Sequence, residues 1–277
     1  MGRPPGVAEF PAWHAGRRNV VLGGVLIGLV CLTALGASQL APGTPYSISG
    51  DVLRGPSARH FFGTDDLGRD IWSGVVHGAR ISLLIGLVAA TLASVLGVVI
   101  GGIAGIRGGV VDEVLMRIAE LFQAMPRLFL VIVVVTLYGS GFWLVAALVG
   151  ISYWPSSARL IRGQVLALRK ADYVTAAHAL GSRPERVLIR HVLPAALSPL
   201  LVNAALQAGG AILVEAGRSF LGIGDSAMVS WGGMLSEAHH YMRDAWWVGV
   251  FPGLAIALTV LGWSLLADGL ATPRSQG

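Results

Sequence analysis

Four stretches of this chain carry no charged side chain over roughly 20 residues or more, the length a helix needs to cross the hydrocarbon core of a bilayer. They are Val20–Leu40, Ile81–Ile106, Val192–Val214 and Trp246–Leu266, and each predicts a membrane-spanning helix. A fifth stretch, Leu128–Ala158, is also uncharged, but at about 31 residues it is too short for two crossings of roughly 20 each. Gly139-Ser140-Gly141 places a turn signal inside it. Two crossings therefore require the first to begin upstream, near Val114–Glu120, and the second to run past Arg159. Arg127, beside Pro126, then lies close to the inner interface, where a long side chain can snorkel. A single long tilted span or a re-entrant hairpin is the rival arrangement. The preferred reading is an all-α membrane protein with about six transmembrane helices. Composition agrees: 54% of residues are hydrophobic and 13% charged, where soluble domains carry about 25% charged residues.

Basic residues orient the spans. With the N-terminus inside, the outer segments hold only Arg54, Arg59, Arg69, Arg80, Arg218 and Arg243 out of 20 Lys and Arg. Cytoplasmic loops carry the excess of Lys and Arg, so both termini are expected in the cytoplasm. Arg17-Arg18 before an apolar run and Ala37-Ser38 could be read as an export signal. The run of about 21 residues is long for a signal core of 7–15, so an uncleaved first span is preferred. The basic pI, near 10.0, follows from loops on one side of a membrane. No basic stripe with interleaved aromatics points to nucleic acid. The lone Cys31 excludes an intrachain disulfide.

Enzyme chemistry is not evident. A phosphate-binding loop ending in Gly-Lys-Ser/Thr is missing, and the only lysine, Lys170, follows Arg169. Neither a His-Glu-x-x-His helix nor a Gly-x-Ser-x-Gly turn is present. Within the spans no polar constellation stands out, and small apolar residues are expected along any path through them. His239-His240 and Glu237 raise a metal site, but adjacent histidines need not converge on one ion, so no metal is expected. Trp231, Trp246 and Trp247 read as core or interfacial-belt residues. Glu215 ends an apolar run, where path function, capping and solvent exposure remain open.

Two polar strings stand apart. Residues 173–194 form a basic stretch between apolar runs, read as two short helices broken at Gly181, a residue suited to ending a helix. Ser182 follows as an N-cap with Glu185 three residues on, as in a capping box, and Pro184 sits in the first turn. The result is a rigid knob. Residues 63–70, Gly-Thr-Asp-Asp-Leu-Gly-Arg-Asp, join turn glycines Gly63 and Gly68 to the charges of Asp65, Asp66, Arg69 and Asp70. Taken alone, this is a self-paired, solvated turn; its carboxylate spacing does not match a calcium loop.

The pattern Ala176-Ala177, Gly181, Leu193-Pro194 resembles the ATPase-docking loop of ABC importer permeases, with Thr175 where that motif usually has Glu. GTDDLGRD before Ile71-Trp72-Ser73, Gly78-Ala79-Arg80 after it, and residues 215–224, 230–235 and 251–255 are similar to the C-type permease of the dipeptide, oligopeptide and nickel importers. The resemblance implies a type I ABC importer transmembrane domain over 80–268, preceded by a cytoplasmic tail (1–19) and by the first span and outer loop (20–79), and followed by a tail at 269–277. It implies a multi-pass permease of the cell (inner) membrane for a peptide-like substrate, in contact with lipid. A homologous second permease, one or two ABC ATPases and an extracytoplasmic substrate-binding protein are the implied partners. ATP and Mg are expected on the ATPases, with no cofactor in this chain. The coupling residues so implied are Thr175, Ala176, Ala177, Leu180, Gly181, Arg186, Leu193 and Pro194. A secondary transporter or a membrane assembly factor is the alternative.

Overall fold

The computed structural model describes residues 12–41, 44–169, 171, 186, 188–225 and 228–272. Nine α-helices occur among them: α1 (Ala12–Leu35), the short α2 (Ala37–Leu40), α3 (Ile71–Arg107), α4 (Gly109–Ala124), α5 (Arg127–Tyr138), α6 (Phe142–Leu168), α7 (Leu193–Arg218), α8 (Trp231–Ala238) and α9 (Trp247–Ala271). Wide, π-type turns precede α7 at Leu188–Val192 and follow it at Ser219–Ile223.

Five helices are long and apolar enough to cross a membrane, and α4 with α5 makes a sixth when the bent pair is taken as one broken span. The two parts meet at 83°. Pro126 causes the break, because its ring disfavours the helical region for the residue before it. Met125 is accordingly extended, with φ −85° and ψ 134°. Residues 139–141 separate α5 from α6, so the uncharged middle stretch divides at the glycine-serine-glycine turn, with its first arm starting upstream. At 37 residues and 1.5 Å per residue, α3 is about 55 Å long. It exceeds a bilayer core and runs unbroken across residue 80.

The bundle is assembled by close backbone approach. Gly97, Gly101 and Gly105 recur every fourth residue and so lie on one face of α3, and that face meets α6. A Cβ built on Gly97 would stand 2.1 Å from Ser157 Cβ, one on Gly101 2.2 Å from the Ala158 carbonyl oxygen, and one on Gly105 2.7 Å from Val165 Cβ. In lipid, where apolar surface gains nothing by leaving water, such small-residue seams let dispersion and packing hold helices together. At one end of the bundle α1 and α2 reach the first turns of α3: Arg80 Nε donates to the Ala34 carbonyl of α1 at 2.5 Å and Trp72 Nε1 to the Leu40 carbonyl of α2 at 3.1 Å. At the other end the start of α1 meets the end of α9, Gly16 against Thr272.

Gly101→Ala is expected to destabilise the solubilised protein by roughly 1–3 kcal/mol, the range for overpacking. Gly24→Ala should be neutral or slightly stabilising, because a Cβ there meets nothing within 4 Å. Thermal unfolding in detergent compares the two; equal midpoints would refute the seam.

Candidate functional site

At the N-terminal end of α3, residues 44–70 fold into a lobe around Thr64 and Asp65, which are 0% and 4% exposed. Thr64 Oγ1 donates to the Asp51 carbonyl and accepts from the Arg54 amide at 2.9 Å. Asp65 Oδ1 accepts from the Leu67 and Arg69 amides at 2.9 and 2.7 Å, and Oδ2 pairs with Arg69 Nε at 2.5 Å. Gly68 has φ +76°, and an added Cβ would lie 2.3 Å from the Ser49 carbonyl oxygen; Gly63, with φ +78°, is as tightly held against Arg54 and Trp247. Asp70 caps α3 by accepting from the Ser73 amide at 2.9 Å and also meets His60 Nδ1 at 3.1 Å.

The charges do not end in their own turn. Arg69 continues to Glu237 on α8, Tyr241 Oη donates to Asp66 at 3.1 Å, and Trp247 Nε1 donates to the Thr64 carbonyl at 3.1 Å. The string GTDDLGRD therefore clamps α8 and the head of α9, and the expectation of a self-paired, solvated turn is replaced by a cross-linked one. Burial raises the Glu237 carboxyl above its ordinary value, opposed by Arg69 and reinforced by Asp65 and Asp66. Arg69 is held above its ordinary value, because Asp65 and Glu237 outweigh the burial that lowers it. The hydrogen bond to Asp66 raises the Tyr241 phenol. His239 and His240 are exposed with ring centroids 5.8 Å apart, and among the described residues no group of three or more His, Cys, Asp or Glu converges as a metal site.

At the opposite end, α6 and α7 bracket the second string. Of its singled-out residues, Thr175, Ala176, Ala177, Leu180 and Gly181 lie outside the described residues. Arg186 and Pro194 are exposed and Leu193 is half-buried. The bracket itself is firm. Arg162 grips Asp112 of α4 with two bonds of 2.5 and 2.7 Å, and Arg169 Nη1 donates to the Gly105 carbonyl at 3.2 Å.

Between these ends runs a feature that sequence reasoning missed. Ser156 Oγ donates to Asn203 Oδ1 at 3.0 Å, Asn203 Nδ2 to Ser157 Oγ at 2.9 Å, and Gln207 Nε2 to the same Ser157 Oγ at 3.0 Å. Arg127 lies over the Tyr153 ring, 4.2 Å from its centre. The spans thus do contain a polar constellation, contrary to the expectation of apolar walls alone. Asn203 and Gln207, four residues apart on α7, share a helix face, as do Tyr153 and Ser157 on α6, and that spacing was the available signal. Glu215 is not solvent-exposed either. At 1% exposure it pairs with Arg218 at 3.8 Å and accepts from Ser219 Oγ at 2.8 Å.

Asp65→Ala strips acceptors from two amides and a guanidinium, so it should cost on the order of 3 kcal/mol, as loss of one partner of a buried pair does. Asp70→Asn keeps a capping side chain and should stay within about 0.5 kcal/mol. Thermal unfolding of both variants checks the order, and equal stability would contradict it.

Residues 97–272 match the family model described as binding-protein-dependent transport system inner membrane component. A dipeptide transport system permease protein of Alkalihalophilus pseudofirmus is 40% identical over 219 residues, covering 79% of this chain and 72% of that one. An oligopeptide transport system permease protein of Bacillus subtilis is 39% identical over 254 residues, covering 90% and 83%. An inward-facing structure of a methionine ABC transporter superposes with a TM-score of 0.56 at 18% identity, covering 68% of this chain and 91% of that one, which gives the fold: a type I ABC importer transmembrane domain. With its spans, fold and relatives in agreement, the chain belongs to the inner membrane components of binding-protein-dependent transport systems, the non-enzymatic permease subunits of ABC importers.

Proposed function

We propose that this permease forms half of the translocation path for a peptide-like substrate and couples to a separate ATPase through residues 173–194. The observation that carries the reading is spatial. A cross-linked lobe stands at one end of the helical body, where Arg69 joins Glu237, and the bracket of α6 and α7 stands at the other, where Arg169 meets Gly105. One chain therefore presents separate surfaces for a substrate-delivering partner and for an ATPase. The names of the relatives, dipeptide and oligopeptide permeases, support the substrate class.

In this reading both termini and the 173–194 knob face the cytoplasm, as the basic-residue bias requires, and the lobe receives an extracytoplasmic binding protein. Thr175, Ala176, Ala177, Leu180 and Gly181 meet the ATPase, while Arg186, Leu193 and Pro194 carry its movement into α7. A homologous second permease completes the path, and one or two ATPases hold ATP and Mg. The first span with its lobe (20–79) precedes the transmembrane domain proper (80–268).

The test uses vesicles holding the permease with its genomic neighbour permease and ATPases, supplied with the binding protein outside. Peptide uptake should require both lumenal ATP and the binding protein. Gly181→Val forces a residue that disfavours the left-handed conformation by about 1–2 kcal/mol into the proposed helix end. It should cut uptake at least tenfold at unchanged membrane abundance. Uptake driven without ATP would contradict the function, and normal uptake by Gly181→Val would contradict the coupling role.

A further inference from the structure

Where α4 breaks from α5, a cavity of about 540 Å³ opens, lined by Gln123, Met125, Pro126, Arg127, Ser156 and Arg159. At 1.5 Å per residue, Arg127 lies about 17 Å below the outer end of α5, and Ser156 and Arg159 about 21 and 26 Å below the outer end of α6. On the orientation proposed above, the cavity lies toward the cytoplasmic end of α6 and opens between α4, α5 and α6.

Its wall contains two guanidinium groups and no carboxylate. Among the described residues neither arginine has an acidic partner: Asp112 is taken by Arg162, and Glu120 by Arg117. Arg127 rests on the Tyr153 ring, a contact that steadies a cation without neutralising it. Cations without a carboxylate partner on membrane-spanning helices line water-filled cavities and mark ligand pathways. The break also turns the start of α5 toward the same place, and its dipole adds positive field to the arginines. The polar wall continues from Ser156 through Asn203 and Ser157 to Gln207, whose buried Oε1 has no partner among the described residues.

We propose that Arg127 and Arg159 form a carboxylate-binding station that holds the C-terminus of a peptide during passage. This rests on the peptide-importer reading above. Guanidinium forks match a carboxylate in two-point geometry, and the hydrogen-bonding seam beyond them offers partners to backbone amides. An anionic lipid bound by its headgroup would use the arginines but not a polar seam running deeper between α6 and α7, so the peptide is the occupant favoured.

The test is made on the assembled importer without nucleotide, carrying Cys31→Ser and Gln123→Cys as a reporter on the cavity wall. Alkylation by N-ethylmaleimide is timed with trialanine or trialanine amide, so no binding protein filters the probes. Trialanine should slow alkylation at least about threefold while the amide does not, since only the former offers a charge-assisted bond. Arg127→Gln with Arg159→Gln should abolish the protection, and the matching pair of Lys substitutions should retain part of it. Co-purification of the ATPase reports assembly, and Arg159→Gln alone, on an exposed side chain, serves if the double variant does not assemble. Equal protection by both probes, protection by neither, or protection that survives the Gln substitutions would each overturn the station. Anionic phospholipid retained only by the unsubstituted protein, with no peptide protection, would overturn it in favour of lipid. Vesicle uptake that persists in any of these cases leaves the importer reading standing, whereas ATP-independent uptake would remove that reading itself.

Discussion

The contact of α3 with α6 through Gly97, Gly101 and Gly105 sets the rest of the molecule. The missing side chains bring two backbones so close that Ser157 and Ala158 press directly on α3. That contact fixes the rotation of α6 about its axis, and the rotation decides what the other faces carry. With Ser157 wedged between α3 and α7, its hydroxyl becomes the shared acceptor of Asn203 and Gln207. One turn away, Trp154 packs edge-on to Phe122 of α4, while Arg159 is left facing the cavity at the break. A packing rule for helices in lipid thus places the polar seam between α6 and α7.

The two ends are held by different physics. At the lobe, hydrogen bonds and ion pairs tie sequence-distant segments, with Arg69 and Glu237 168 residues apart. These bonds act together with an apolar patch in which Leu53 and Phe62 pack against Ile71, Val248 and Phe251. At the opposite end, the bidentate Arg162–Asp112 pair fixes α4 to α6.

Much of this was legible from residues alone, because spans in lipid obey strict length and charge rules. The split of the middle apolar stretch at 139–141 and the upstream start of its first arm follow from arithmetic on span length, and α4, α5 and α6 lie accordingly. The bend at Met125 was signalled only by Pro126. The lobe's partners on α8 and near Tyr241 were not legible, since nothing local in GTDDLGRD names a carboxylate so far along the chain. The seam was overlooked for another reason. Charges draw the eye in a hydrophobic sequence, whereas Ser, Asn and Gln reveal themselves only when read at helical spacing on two helices together.

The central claim is that one body of helices presents the lobe to the outside and the α6–α7 bracket to the cytoplasm. The direct measurement labels single cysteines in intact cells with an impermeant thiol reagent, in a Cys31→Ser background. Gly68 has no room for a side chain, so the outer reporter is Arg59→Cys, on a side chain that is 79% exposed, and the inner one is the exposed Arg186→Cys. The account predicts that position 59 labels at once and position 186 only after permeabilisation. Labelling at 186 and protection at 59 in intact cells would contradict it.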